Sequence, residues 1–105
     1  MKYRLSSKAI EDIENIFEYG ASEFGLNQAL EYHDQLEKTF QFLSKNPKAS
    51  RQRIEIKPPV RIHPIGSHIV VYSILEDKTV FIIRVRHAHE DWINDWPGHH
   101  TALQN

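Results

Sequence analysis

Two stretches decide the fold: His68-Ile69-Val70-Val71-Tyr72-Ser73-Ile74-Leu75 and Val80-Phe81-Ile82-Ile83-Arg84-Val85-Arg86-His87. Both are rich in β-branched residues and of ordinary strand length, and Glu76-Asp77-Lys78 between them reads as a hairpin turn. In a strand successive side chains point to opposite faces. Strict alternation therefore puts Phe81, Ile83 and Val85 on one face, with His87, and Val80, Ile82, Arg84 and Arg86 on the other. The face carrying Phe81, Ile83 and Val85 is expected to meet the core, because the second face changes from apolar to basic along its length.

Upstream, Arg53-Ile54-Glu55-Ile56 and Val60-Arg61-Ile62-His63 also alternate, separated by Pro58-Pro59, neither of which can donate to a strand ladder. Pro64-Ile65-Gly66-Ser67 reads as a turn. The first half is helical in pattern. Ile10, Ile13, Phe17, Gly20, Ala21 and Phe24 recur every three or four residues and predict one apolar helix stripe. Ser6 or Ser7 is the expected N-cap, and Gly25 the expected stop. A second helix follows, with Asn27 as its expected N-cap and Ala29, Tyr32, Leu36, Phe40 and Leu43 as its stripe. Asn46-Pro47 ends it. Tyr3-Arg4-Leu5 before the first helix reads as a short strand.

The predicted architecture is α+β: an N-terminal strand, an antiparallel two-helix hairpin on a three- to four-stranded antiparallel sheet, and a short C-terminal helix holding Trp92 and Trp96. With 105 residues, a single domain over 1–96 and a flexible tail over 97–105 are expected. Hydrophobic residues at 40% and charged residues at 26% set the chain apart from disordered sequences. No apolar run approaches the ~18 residues of a membrane span. The N-terminus lacks the pattern of a signal peptide, so a cytoplasmic location is expected. The chain has no cysteine, which excludes disulfides and thiolate chemistry, and no glycine-rich phosphate loop. No cofactor is expected.

Charge is divided along the chain. Residues 1–46 carry five Lys/Arg against eight acids, net −3; residues 47–105 carry eight against six, net +2. Lys48, Arg51, Arg53, Lys57 and Arg61 cluster with Glu55 as the one acid between them, a pattern that suits an anionic partner. Seven histidines include His87-x-His89 and His99-His100, but no cysteine or paired carboxylate completes a ligand set, so no metal site is expected. None of the serines sits in a nucleophile elbow. Metal-free RNA cleavage needs an acid, a base and cations for the phosphate; Arg84, Arg86 and His87 supply such groups, with His87 on the opposite strand face unless a twist or bulge redirects it. Trp92 and Trp96 suit interface anchors as well as a lid on the core.

The order of elements and several strings resemble the ParE toxins of the RelE/ParE superfamily. These strings are Tyr3-Arg4-Leu5-Ser6 leading into Ala9-x-x-Asp12-Ile13-x-x-Ile16, Gly25-x-x-x-Ala29, Asn46-Pro47, Arg61-x-x-Pro64-Ile65-Gly66-Ser67-His68 into Val71-Tyr72, and apolar positions before Arg86-His87. The resemblance covers residues 2 to 92. It implies the toxin half of a type II toxin–antitoxin module, a bacterial protein that inhibits DNA gyrase and blocks replication, neutralised by a ParD-like antitoxin. RelE-type relatives instead cut messenger RNA on the ribosome. Those relatives often carry a tyrosine near the chain end and a strongly basic charge. Here His87 precedes Ala88, the last tyrosine is Tyr72 and the net charge is −1, which favours the gyrase reading. Under it the residues expected to contact gyrase are Arg84, Arg86, His87, Trp92 and Trp96. Those expected to contact antitoxin are Ile13, Phe17, Leu36, Phe40, Arg53, Lys57 and Arg61. The ribonuclease alternative would use Arg61, Arg84, Arg86 and His87. No sequence-specific nucleic-acid contact and no membrane partner are expected.

Overall fold

The computed structural model describes residues 2–89. The expected C-terminal helix, Trp92, Trp96 and the tail over 97–105 lie outside the described residues. The elements in order are β1 (Tyr3–Leu5), α1 (Ser7–Phe24), α2 (Leu26–Lys45), β2 (Gln52–Arg53), β3 (Val60–Ile65), β4 (His68–Ile74) and β5 (Val80–His87).

Ser6 opens α1. Its hydroxyl accepts from the Ala9 N–H at 2.9 Å and donates to the Ile83 carbonyl at 2.6 Å, while its own N–H donates to the Ile82 carbonyl at 2.9 Å. One residue thus caps a helix and fastens it to a strand. Gly25, at φ 93°, is the whole link between the helices, ending α1 and starting α2. That backbone region is strained for any residue with a Cβ. Gly25, not Asn27, is therefore the N-cap of α2: the chain needs no further residue to reverse. The helices fold back on each other, and a Cβ on Gly20 would stand 3.6 Å from that of Ala29.

The α+β class holds, but the sheet is five-stranded and mixed, in the order β1-β5-β4-β3-β2. β3, β4 and β5 form an antiparallel meander, with β2 antiparallel to β3. β1 joins the other edge, parallel to β5. The expectation of three or four antiparallel strands omitted this pairing. The β5 edge has backbone groups to satisfy, and the N-terminal strand does so without a tight turn that sequence spacing would reveal. The expected strand over 53–56 is reduced to Gln52–Arg53, and Ile54–Glu55 turn away. Conversely β3 runs on through Pro64 and Ile65, leaving Gly66-Ser67 as the turn.

Alternation along β5 fails at one point. Val71 faces Arg84 but Tyr72 faces Ile82, so Ile83 is an extra residue, a β-bulge. The bulge reverses the faces upstream of it. Val80 and Ile82, rather than Phe81 and Ile83, join Val85 against the helices, together with Val70 and Tyr72 of β4. Ala9, Ile13, Leu36, Phe40 and Leu43 meet them from α1 and α2. Ile10 and Phe24, expected in the α1 stripe, are 46% and 63% exposed; the stripe runs instead through Ala9, Ile13 and Ile16. On the far face Ile56 folds under Val60 and Val71, with Ile62, Ile69 and Ile83 around them.

Candidate functional site

A groove of about 810 Å³ runs along the helix hairpin to the ends of β4 and β5. Ile13 and Leu36 form its floor and Phe17 a wall; Ser67, His68, Arg86 and His87 line its strand end. Asp12 of α1 stands at its margin, where its carboxylate accepts from Arg84 Nε at 2.8 Å, from Arg84 Nη2 at 2.9 Å and from the Val85 N–H at 3.0 Å. A two-pronged guanidinium–carboxylate pair is among the stronger polar contacts a protein makes. Here it clamps α1 to the stretch of β5 beyond the reach of β1. Arg84, expected on a contact surface, is held in this clamp.

Tyr32 of α2 reaches across to the turn before β4. Its hydroxyl lies 3.1 Å from the Ile65 carbonyl and 2.6 Å from His68 Nδ1. Burial pushes the Tyr32 hydroxyl pKa up, so it keeps its proton. That one proton serves the carbonyl when His68 Nδ1 carries its own hydrogen, and serves Nδ1 in the other tautomer of the ring. Gly66 permits the approach. A Cβ there would sit 2.8 Å from the Tyr32 ring, and its φ is +55°. His68, His87 and His89 form a row, with ring centres 5.3 Å and then 5.6 Å apart. Among the described residues no three His, Asp or Glu side chains converge, as they stand, on a point for a metal ion.

The basic cluster lies at the opposite edge, around β2 and β3. Arg61 Nη1 donates to the Ser50 carbonyl at 2.7 Å, and the Ser50 hydroxyl bonds His63 Nδ1 at 2.9 Å. Burial lowers the His63 pKa. Arg53 pairs with Glu55, and that bond holds the Glu55 carboxyl below the usual carboxylate range. Lys48, Arg51 and Lys57 are exposed.

Several expected site residues are placed differently from their sequence reading. Ile13, Leu36 and Phe40, expected to touch antitoxin, are buried in the helix stripe that packs on the sheet, Leu36 to 1% exposure, while Ile13 and Leu36 also line the groove. Phe17 is half-buried at the groove. Of the set Arg61, Arg84, Arg86 and His87, the last three follow one another along β5, with Arg86 and His87 on the groove, and Arg61 stands apart. Arg61 lies on β3 and Arg84 on β5, with β4 between them, roughly 9–10 Å apart as strands are spaced, and each is bonded to a different partner. Asp12, Tyr32 and His68 escaped the sequence reading as a site. Asp12 entered only as one position of the string Ala9-x-x-Asp12-Ile13 and Tyr32 as one more stripe residue; no spacing signals contacts across 33 or more residues.

The family model described as the ParE toxin of the type II toxin–antitoxin system, parDE, matches residues 3–92. A protein named Toxin ParE1 from Mycobacterium tuberculosis is 30% identical over 90 residues, 86% of this chain and 92% of that protein. Toxin ParE1 of Caulobacter vibrioides is 32% identical over 85 residues, 81% of this chain and 86% of its own. The solved chromosomal ParDE toxin–antitoxin system from P. aeruginosa contains a chain with the same fold, at a TM-score of 0.70 and 18% identity, covering 83% of this chain and 95% of that one. The meander, the helix hairpin and a match over nearly the whole chain together make this protein a member of the ParE family of type II toxins.

Proposed function

We propose that this toxin acts by inhibiting DNA gyrase through protein contact and is neutralised by a ParD-like antitoxin. The observation that carries the reading is the separation of the basic groups. Arg61 is bonded near the far edge of the sheet and Arg84 is held by Asp12, which leaves Arg86 and His87 as the two residues of the ribonuclease set that share the groove, while that groove and the basic edge suit protein partners. Arg86 and His87 at the strand end, continued in sequence by Trp92 and Trp96, are the proposed gyrase contacts. The Asp12–Arg84 clamp positions the strand that bears them. Arg53, Lys57 and Arg61, with their neighbours Lys48 and Arg51, are the proposed contacts for an acidic antitoxin segment, and Phe17 the apolar contact in the groove. A partner that folds on binding can cover both at once.

Purified toxin added to gyrase and plasmid is expected to abolish supercoiling or trap cleaved complexes, beside a translation extract that stays active. Codon-specific mRNA cutting with gyrase unaffected would reverse the reading. Within a positive result, Arg86→Ala and His87→Ala should weaken inhibition while leaving the melting temperature near that of the parent.

A further inference from the structure

The sheet sorts the charge of the chain. Between Glu37 and Glu76 the sequence carries one acid, Glu55, against seven Lys/Arg. Glu55 is taken by Arg53, and Lys38 by Asp34. Lys45, Lys48, Arg51 and Lys57 are exposed. Arg61 is fixed by the Ser50 carbonyl at 2.7 Å, which orients its guanidinium without cancelling the charge. These residues lie at the end of α2 and around β2 and β3, on the side of the sheet away from β1. The eight acids before residue 46 all sit on α1 and α2, which pack mainly on β1 and β5. β2 stands three strand spacings from β5 and four from β1, roughly 14–19 Å. That is about twice the ~8 Å over which exposed charges are screened at physiological salt. The net charge of −1 therefore does not describe what a partner meets at the β2–β3 edge.

We propose that this edge binds the phosphate backbone of duplex DNA, without sequence preference, through Lys45, Lys48, Arg51, Lys57 and Arg61. The groove along the hairpin and the smaller cavity beside Tyr3 and Phe40 include no residue between Gln41 and Gly66. The edge thus offers charge and no pocket in which peptide side chains would be read, and a phosphate backbone asks only for placed cations. From Ser44 to Gly66 the sequence holds no Phe, Tyr or Trp, so the bases of a single strand find no stacking platform there. A duplex keeps its bases inside and presents one charge per ~1.7 Å of axis. Ile56, buried beneath with Val60 and Val71, pins the segment that carries Lys57, so the cations are placed before DNA arrives. DNA binding of this kind is separate from contact with gyrase and does not depend on it. The edge also bears the proposed antitoxin contacts, so DNA and an acidic antitoxin segment exclude each other there.

The test is fluorescence anisotropy with labelled duplexes of ~20 base pairs and two unrelated sequences. It uses the tag-free full chain alone, so a failure here leaves the gyrase and antitoxin readings standing. Both duplexes are expected to bind equally, with Kd between about 10⁻⁶ and 10⁻⁴ M at physiological salt. Four neutralised phosphates make log K fall against log salt with a slope of about −3.6, a loss of roughly 150-fold between 50 and 200 mM. Lys48→Ala, Arg51→Ala and Lys57→Ala should each reduce that slope by about one, and the triple variant should bring it to about −1. All three positions are exposed, so the melting temperature should stay near that of the parent. Lys8→Ala, which removes an exposed cation of α1, should bind like the parent. No binding at low salt, undiminished binding by the triple variant, or tighter binding of single strands than of duplex would each overturn the site. Poly-L-glutamate bound as tightly as the duplex would overturn it in favour of an acidic polypeptide.

Discussion

The two faces of the sheet are built on different scales. Against the helices, Val70, Tyr72, Val80, Ile82 and Val85 meet side chains from both α1 and α2 in one continuous core. On the far face, Ile56, Val60 and Val71 form a small cluster covered by the segment between β2 and β3. The first face is closed by two long regular elements that each present a whole stripe. The second is closed by one residue, Ile56, on an irregular segment. Burial on the helix face thus holds the chain together, and the far face adds local order to the basic edge. Stability and the proposed basic contacts for antitoxin are in this way carried by different parts of the molecule.

The comparison is most directly broken in the larger core. Leu43, fully buried, should lose about 4 kcal/mol of stability on Leu43→Ala, mostly from the cavity left among elements too rigid to collapse. Ile56→Ala should cost about 3 kcal/mol, with the loss appearing first as faster amide exchange around β2 and β3 rather than in the helices. Equal protection loss everywhere would mean that the small cluster is part of the global unit. Asp12→Ala should cost about 2 kcal/mol by denaturant titration, because it strips the Arg84 guanidinium, 25% exposed, and the Val85 N–H of their acceptor.

Smaller effects sharpen the same contrast. The buried Tyr72 hydroxyl donates to the Pro47 carbonyl at 2.8 Å, tying the end of α2 to β4. Tyr72→Phe should lower stability by about 1 kcal/mol. The least effect is expected at His63, whose folded pKa lies below the ordinary 6.5 through burial. The unfolded chain then takes up a proton before the folded one, so stability falls as pH drops from about 6.5 toward the depressed value and is unaffected above it. His63→Gln should flatten that part of the stability–pH curve; an unchanged slope would assign it to another group.

Much of this organisation was legible in the sequence because it rests on local periodicity. β5 spans the run from Val80 to His87, α2 buries the stripe from Ala29 to Leu43, and Ser6 and Gly25 act at the helix ends where their chemistry fits. Errors arose where a pattern was extended past a local irregularity. One inserted residue at Ile83 was enough to exchange the faces of β5, because a strand has a period of two and a single extra residue shifts every side chain upstream of it. The candidate site was less legible still. Helix-stripe residues Ile13, Leu36 and Phe40 were conspicuous for the reason that buries them against the sheet, and Arg84 looked available because its acceptor, Asp12, lies 72 residues away.

The sequence by itself determined the element order, the apolar stripe of α2, the cap and stop of α1 and the uneven charge, since each depends on residues within a few positions of one another. Tertiary structure decided the rest: the parallel pairing of β1 with β5, the bulge, the clamp of Arg84 by Asp12, the meeting of Tyr32 with His68, and the row of histidines across the strand ends. These are contacts between segments far apart in the chain. Their free energy exists only once the core has paired the strands and fixed the register, and no spacing along the chain records it.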